Sequence, residues 1–346
     1  MKYVDLFAGI GGFRLGIERA FEKKAERVWK ESSQRVRSKA IAGEPQGTSR
    51  LDYSGTETQQ HDFRSPDRQF TCVYTNEWDK YAAQIYEKNF KTKVDTRDIT
   101  TVRTDEIPDH DLLCAGFPCQ AFSVAGKRRG FDDTRGTLFF DIARILKDKR
   151  PRYFLLENVK GLLSHDSGKT FQTILGVLSD LGYEYQWQVL NSKDFGVPQN
   201  RERVFIIGHL RGTSRPEVFP IGGSGKSNDN QITSNAIDTN YWKGIDNHGQ
   251  RTMISDSLHG FGHGWQGYHN KKAVKMGLIR RLTPTECERL QGFPDGWTEG
   301  VSDTQRYKML GNAVTVNVVE EVIKRMFLET TEALLEDLGD LTKEKT

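Results

Sequence analysis

The feature that most constrains the fold is a repeated alternation of short apolar strand patterns with helix patterns over the first 210 residues. Repeated β-α units predict a mostly parallel α/β sheet with helices on both faces. Ligands of such sheets bind at the carboxyl ends of the strands, so functional residues are expected directly after strands. The predicted strands cover 2–7, 71–76, 112–115, 153–157 and 204–208, and the predicted helices begin at residue 13 and cover 79–89, 136–147 and 169–181.

Two stretches interrupt this alternation. Residues from about 22 to 69 form a polar insertion, and the part after Ala42 has too little apolar content to offset its ordering entropy, so we expect a mobile loop. Residues 221–303 are rich in glycine and basic as far as residue 281, which favours a smaller, loop-rich second domain over a merely solvated irregular subdomain. The last segment has a helix pattern over 314–338. The predicted domains are therefore 1–220 plus 304–346, and 221–303.

Composition excludes several classes of protein. With 346 residues, of which 36% are hydrophobic, the chain is long enough for one large and one small domain. No stretch approaches the roughly 20 apolar residues of a membrane span, and Asp5 interrupts the only apolar run that a signal peptide would need. The four cysteines include no Cys-x-x-Cys pair, which argues against a disulfide framework or structural zinc and favours the cytoplasm. A net charge of +3 permits a polyanionic partner.

The first candidate site is the turn after the first strand. In the sequence DLFAGIGGF at 5–13, glycines permit close backbone approach to a ligand and positive φ. A dinucleotide fingerprint is excluded, because the third glycine would stand at position 14, where Arg14 is found. Alone, the turn predicts a nucleotide-like cofactor no more strongly than a plain tight turn.

Polar residues also follow the second strand. Glu77 is placed to accept hydrogen bonds from ribose hydroxyls, and Trp78 to stack on an adenine. The alternative is an N-capping Asp79 beside a surface tryptophan. Asp98 and Ile99 are candidates for contacts with an adenine edge.

The strongest local feature is GFPCQAFS at 116–123. Cys119 directly follows a proline after an apolar strand, a position that suits an exposed nucleophile. The alternative is a buried structural cysteine, which Cys114 inside the strand fits better. The glycine-flanked loop 124–131 carries Lys127, Arg128 and Arg129, and this pattern predicts a lid that meets phosphates.

Charged residues at two further strand ends complete the candidates. Glu157 ends an apolar strand, where burial would raise its pKa as a general acid requires; the alternative is a helix-capping pair with Asn158. Arg201 and Arg203 stand two residues apart at the start of another strand, so their side chains are expected on the same side. There they could bind a phosphate or a base carbonyl. The alternative for them is a salt-bridged strand edge.

Together these motifs resemble the cytosine-5 DNA methyltransferases over nearly the whole chain, in order. The resemblance implies a Rossmann-like, S-adenosylmethionine-dependent sheet with a smaller target-recognition domain. The matching blocks are DLFAGIGGF at 5–13, NEWDKYA at 76–82, GFPCQAFS at 116–123, RGTLFFDIARIL at 135–146, ENVKGL at 157–162, QNRERVFIIG at 199–208, RLTPTECERLQGFP at 281–294 and GNAVTVNVV at 311–319.

The resemblance assigns roles to single residues. Cys119 would be the nucleophile on cytosine C6, Glu157 would bond the cytosine N3 and exocyclic amine, and Arg201 and Arg203 would organise the site. The chemistry requires no metal. S-adenosylmethionine would be held by Phe7, Gly9, Gly11, Glu77, Trp78, Asp98, Ile99, Pro118, Leu138, Asn312 and Ala313.

The implied partner is double-stranded DNA, from which the target base must be flipped out. Where the family's recognition domain often carries a Thr-Leu or Thr-Val pair, this chain has Ser257 and Leu258, a departure that leaves the recognition sequence open. The candidate contacts with DNA are Lys127, Arg128, Arg129, Ser257, Leu258, His259, His263 and Trp265.

Two other readings stay open. One is a tRNA cytosine-5 methyltransferase on the same scaffold, against which GFPC at 116–119 and the basic second domain argue. The other is a catalytically silent DNA-binding protein, against which the presence of Cys119 and Glu157 argues. For the methyltransferase we expect a monomer associated with the nucleoid, either paired with a restriction endonuclease of the same specificity or acting as an orphan or phage enzyme.

Overall fold

The computed structural model describes residues 1–22, 70–118, 138–213, 217–221, 234–235, 253–255 and 279–327. For 234–235, 253–255 and 279–280 it describes the backbone alone. Almost all of the polar insertion and most of the expected second domain lie outside these residues.

A six-stranded sheet organises the described part of the chain, in the order β2-β1-β3-β4-β7-β5. The first four strands in this order are parallel, whereas β7 runs antiparallel to both of its neighbours. Two short pairs, β6 with β8 and β9 with β10, lie outside this sheet. The strands are β1 (Lys2–Leu6), β2 (Thr71–Asn76), β3 (Leu112–Gly116), β4 (Tyr153–Val159), β5 (Tyr183–Asn191), β6 (Gln199–Asn200), β7 (Glu202–Leu210), β8 (Ser234–Asn235), β9 (Met253–Ser255) and β10 (Ile279–Arg281).

Helices cover both faces of the sheet, as predicted. Because successive side chains of a strand point to opposite faces, Leu113 packs towards α3 and α4, whereas Leu112 packs towards α1 and α7. Each face thus has its own apolar cluster. The described helices are α1 (12–22), α2 (Lys80–Phe90), α3 (Leu138–Lys149), α4 (Lys169–Asp180), α5 (Pro284–Leu290), α6 (Asp303–Asn312) and α7 (Val316–Phe327).

One strand of the six-stranded sheet was missed by the sequence analysis. The edge strand β5 pairs along its whole length with β7. Its polar residues Glu184, Gln186 and Gln188 alternate with apolar ones, the period-2 pattern of a half-buried strand. The sheet is therefore less uniformly parallel than repeated β-α units implied.

A third apolar cluster lies beyond the edge of the sheet. Leu282 and Phe293 pack there with Ile10, next to the first turn, and with Ile85 of α2. The Trp297 indole donates a hydrogen bond to the Ile10 carbonyl oxygen (2.9 Å). Residues 281–303, which the sequence analysis assigned to the second domain, therefore include side chains that pack against the first turn and α2.

Capping residues mark where the helices around this cluster begin. Asp79 caps α2 by accepting hydrogen bonds from the backbone N–H groups of Tyr81 and Ala82. Thr283 caps α5 in a reciprocal capping box with Glu286. Within the described residues, no helix combines the length and the apolar character that crossing a bilayer would need.

The packing of the first turn leaves no room for a side chain at Gly11. Its φ of +89° favours glycine, and a Cβ there would lie 2.2 Å from the Phe90 ring. That ring is held by Tyr86, Trp297 and the guanidinium of Arg14, so it has little room to shift. We expect Gly11→Ala to lower the free energy of unfolding by more than about 2 kcal/mol in urea titrations.

A matched control is available in α4. Gly176 is an exposed helical glycine, and a Cβ there would meet nothing within 4 Å. Gly176→Ala should therefore stabilise the protein by about 0.5–1 kcal/mol. Equal effects of the two substitutions would contradict the proposed role of Gly11.

Candidate active site

A cavity of about 1260 Å³ opens at the carboxyl edge of the parallel strands. Phe7 and Gly9 follow β1, Glu77 follows β2, Pro118 follows β3, and Glu157 lies near the end of β4; all five line this cavity. Parallel pairing brings these strand ends to a single edge, which is why residues distant in sequence share one wall.

Gly9 and Gly11, the two glycines of the turn after β1 that were predicted to hold the cofactor, have different surroundings. Phe7 and Gly9 both adopt left-handed backbone conformations, with φ of 54° and 55°. A Cβ on Gly9 would meet nothing within 4 Å, so this glycine leaves open space in the cavity. Gly11 does not line the cavity; it leaves room for Phe90. A left-handed phenylalanine is costly and indicates that the surroundings hold its ring beside the cavity.

Glu77 forms the wall after β2. Its carboxylate accepts hydrogen bonds from the backbone N–H groups of Gly9 (2.8 Å) and Asp79 (2.7 Å). Burial raises the pKa of Glu77, although these two hydrogen bonds act in the opposite direction. The adjacent Trp78 exposes 73% of its surface, so its indole is accessible to a ligand. Asp79 is the N-cap that the alternative reading expected, and its second oxygen also pairs with Lys308 (2.8 Å).

Glu157 lies at the other end of the cavity. It is buried, and its Oε1 accepts an ion-paired contact from Arg203 Nε at 3.1 Å. Burial raises the pKa of Glu157, and the charges of Arg203 and Arg201 oppose that rise. Its second oxygen lies 3.4 Å from where a Cβ of Gly116 would stand, so the glycine leaves this oxygen uncrowded.

Arg201 and Arg203 each support a different part of the site. The Arg201 guanidinium is 2% exposed and donates to the backbone carbonyls of Gly311 (2.9 Å) and Ala313 (2.8 Å). Burial lowers the pKa of Arg201 to about 9. Arg203 instead faces Glu157. One arginine therefore holds the loop before α7, and the other holds the buried carboxyl group.

The comparisons with known proteins agree with this architecture. The sequence model of the C-5 cytosine-specific DNA methylases matches residues 53–259 and 223–328. The type II methyltransferase M.NlaX of Neisseria lactamica is 38% identical over 352 residues, covering 94% of this chain and 96% of that protein. M.HhaI, a type II methyltransferase of Haemophilus parahaemolyticus, is 35% identical over 93% of both chains.

This chain belongs to the C-5 cytosine-specific DNA methylases. Members of this family methylate cytosine in DNA with S-adenosylmethionine. The fold is also similar to the crystal structure of the S. pombe Dnmt2 methyltransferase, with a TM-score of 0.66 at 18% identity, covering 93% of this chain and 97% of that one. At that identity the likeness concerns the fold alone.

The structure collects most of the residues predicted to hold the methylase cofactor. Gly11 and Ala313 are predicted cofactor residues that do not line the cavity, and the Ala313 carbonyl oxygen accepts a hydrogen bond from Arg201. The predicted cofactor residues that line the cavity are Phe7, Gly9, Glu77, Trp78, Asp98, Ile99, Pro118, Leu138 and Asn312.

The predicted nucleophile and the predicted DNA contacts fall outside the part of the chain that the structure describes. Pro118 lines the cavity, and Cys119 is the next residue in the chain. Cys119, Lys127, Arg128, Arg129, Ser257, Leu258, His259, His263 and Trp265 lie outside the described residues. Among the described residues, no cluster of three or more His, Cys, Asp or Glu side chains could hold a metal ion.

The cavity also contains residues that sequence analysis gave no role. Asn158 donates a hydrogen bond to the Phe117 carbonyl oxygen (2.9 Å) and so fixes the segment that leads into Cys119. Arg144 of α3 donates to the Ile99 carbonyl oxygen (3.1 Å) and supports the predicted adenine-edge turn. Asn158 could have been found from its place beside Glu157, whereas no local pattern singles out Arg144.

The buried Glu157 predicts a specific pH dependence of stability. A carboxyl group whose pKa is raised in the folded state stabilises that state fully only below its unfolded pKa, and this contribution is lost as pH rises. In urea titrations between about pH 5 and pH 8, we expect Glu157→Gln to gain stability relative to the unsubstituted protein as pH increases. The attraction of Arg203 for the ionised carboxylate is already contained in the pKa of Glu157, so only the difference between glutamine and the protonated carboxyl group adds an offset that does not depend on pH.

Glu184→Gln is the matched control, because that side chain is 51% exposed and gives up little hydration. The Glu157 interpretation is wrong if the difference between Glu157→Gln and the unsubstituted protein stays constant or shrinks with rising pH.

Proposed function

We propose that this methylase transfers the methyl group of S-adenosylmethionine to C5 of a flipped-out cytosine within a short specific sequence of double-stranded DNA, through a covalent bond between Cys119 and cytosine C6. The observation that supports this most is the single cavity in which Glu77 and Trp78 line one end, Glu157 and Arg203 line the other, and Pro118 lies between.

The first end of the cavity suits the cofactor. Glu77 presents a carboxylate for ribose hydroxyls, and the exposed face of Trp78 suits an adenine ring. Gly9 leaves space for close approach to the backbone, and Asp98 and Ile99 line the adenine side. When bound, S-adenosylmethionine supplies an electrophilic methyl group.

The other end suits the cytosine. Burial of Glu157 favours its protonated form, which can donate a hydrogen bond to the ring nitrogen N3 while its other oxygen accepts from the exocyclic amine. Arg203, which pairs with Glu157, would lie near the cytosine O2. Arg201 holds the loop that carries Asn312.

The covalent step explains why a thiol is needed. The Cys119 thiolate adds to C6, and the electron pair displaced from the C5–C6 double bond makes C5 nucleophilic enough to take up the methyl group. A base then removes the C5 proton, and the thiolate leaves by β-elimination, which restores the aromatic ring. A thiol suits both steps, because it is a strong nucleophile and a competent leaving group.

DNA recognition is assigned to two other parts of the chain. We place loop 124–131, with Lys127, Arg128 and Arg129, against DNA phosphates. Ser257, Leu258, His259, His263 and Trp265 would read the bases within the second domain. Because Leu282 packs with the large domain, that second domain would end before residue 282 rather than at 303. The protein would act as a cytoplasmic monomer on the nucleoid, alongside a restriction endonuclease of the same specificity where one is present.

Methyl transfer to two substrates tests the function. The purified protein is supplied with S-adenosylmethionine and either unmethylated plasmid DNA or unmodified tRNA, and the DNA product is sequenced after cytosine conversion. We expect methylated cytosines in one short DNA context. Methylation of tRNA alone would contradict the proposal and favour the RNA reading, and binding of DNA without methylation would favour a silent binding protein.

Cys119→Ser tests the covalent mechanism. We expect this variant to lose methyl transfer, because a hydroxyl is a far weaker nucleophile at neutral pH, and to bind S-adenosylhomocysteine with unchanged affinity. Cys114→Ser is the matched control: it removes a thiol that is fully buried in β3, so methyl transfer by the folded protein should persist. Sustained turnover by Cys119→Ser would refute the adduct.

A further inference from the structure

A chain of buried hydrogen bonds links three segments next to the active site. Ser192, at the end of β5, lies with its Oγ 2.8 Å from Oγ1 of Thr315, which directly precedes α7. Thr315 Oγ1 donates to Oε1 of Gln291, which directly follows α5 (2.8 Å). The exposed fractions of Ser192, Gln291 and Thr315 are 2%, 0% and 3%. We call these three residues the hydroxyl–amide relay.

Both ends of the relay are fixed to the backbone. Gln291 Nε2 donates to the Leu310 carbonyl oxygen (3.0 Å), and this bond sets the orientation of its amide. At the other end, the Ser192 N–H donates to the Arg201 carbonyl oxygen (3.0 Å). Because Thr315 donates its hydroxyl proton to Gln291, Ser192 is the donor in the 2.8 Å contact with Thr315. The Arg201 carbonyl oxygen, 3.3 Å from Ser192 Oγ, is a second acceptor for the same proton.

The relay runs alongside the contacts of Arg201. The Arg201 guanidinium holds the carbonyls of Gly311 and Ala313, and between them stands Asn312, which lines the cavity. Leu310, held by Gln291, immediately precedes this segment, and Thr315 closes it. Two sets of hydrogen bonds therefore connect Arg201 to residues 310–315. One set runs from its guanidinium, and the other runs from its backbone carbonyl through the relay.

We infer that Ser192, Thr315 and Gln291 are positioning residues that set cofactor affinity by holding residues 310–315, the end of α6 and its connection to α7, against Arg201. The inference rests on the proposed place of Asn312 in the cofactor pocket. None of the three residues lines the cavity, so their effect on cofactor affinity is transmitted through residues 310–315. Because a buried polar group that loses its partner is costly, removing the middle hydroxyl is unfavourable for Gln291, whose Oε1 loses the donor Thr315. Ser192 then keeps the Arg201 carbonyl oxygen as its acceptor.

The test compares Thr315→Val with Thr315→Ser. Valine keeps the volume and removes the hydroxyl, whereas serine keeps the hydroxyl and loses a methyl group. S-adenosylhomocysteine binding to the full-length protein is measured by isothermal titration calorimetry, and urea titration follows stability. We expect Thr315→Val to weaken binding roughly tenfold and Thr315→Ser to stay close to the unsubstituted protein.

Ser192→Ala gives a second, milder variant that leaves the bond between Thr315 and Gln291 intact. We expect it to weaken binding, and the double variant Ser192→Ala/Thr315→Val to be less affected than the two single effects combined, because the residues share one relay. Thr170→Val is the control for loss of any buried hydroxyl. That hydroxyl bonds His165 outside the cavity, so its removal should lower stability and leave binding unchanged.

Three results would overturn the inference. Unchanged binding by both Thr315→Val and Ser192→Ala would show that the relay serves stability alone. Equal weakening by Thr315→Ser and Thr315→Val would assign the effect to packing rather than to the hydroxyl. If the unsubstituted protein does not bind S-adenosylhomocysteine, the proposed cofactor pocket itself fails, and the inference fails with it.

Discussion

Parallel pairing of β1, β2, β3 and β4 is the constraint on which the site depends, because it brings four strand ends to a single edge. Side chains inside these strands serve the two apolar clusters on the faces of the sheet, and residues directly after the strands are free to be polar. A substrate and a cofactor that react with each other must share one cavity. The parallel edge provides that cavity without further rearrangement of the fold.

Antiparallel β7 supplies what the parallel strands cannot. Arg203 pairs in register with Val159 of β4, which places its guanidinium on the same face as Glu157. A carboxyl group buried at a strand end is costly unless it is paired or protonated, and here the arginine limits the rise of its pKa. The cavity therefore combines a carboxyl group able to hold a proton with a fixed cation beside it.

Arg201 shows how far this support extends. Its guanidinium is buried and donates to backbone carbonyls before α7, so the charge serves to hold the segment that carries Asn312. The hydroxyl–amide relay fastens the same segment from the other side. Arg201 therefore lines the same cavity as Glu157 and also holds the segment that carries Asn312.

Whether a residue's role could be predicted from the sequence depends on how far apart its interaction partners lie along the chain. Glu77 and Glu157 were found because each follows an apolar strand, a local signal. The role of Gly11 in leaving room for the Phe90 ring was not predicted, because Phe90 lies in another helix. Ser192 and Thr315 are 123 positions apart, and no pattern near either one indicates the other. Residues after Leu282 were assigned to the second domain because glycines and charges mask the few apolar side chains that pack against α2.

The central claim is that Cys119, the residue that follows Pro118 in the chain, attacks a cytosine held in this cavity. Duplex DNA amplified with 5-fluorocytosine tests it directly, because fluorine at C5 cannot leave as a proton does and the covalent complex is trapped. Mass spectrometry of the digested complex formed with S-adenosylmethionine should locate the methylated base on Cys119. Attachment at Cys114, whose burial raises the pKa of its thiol well above the ordinary value, or no attachment at all, would contradict the account.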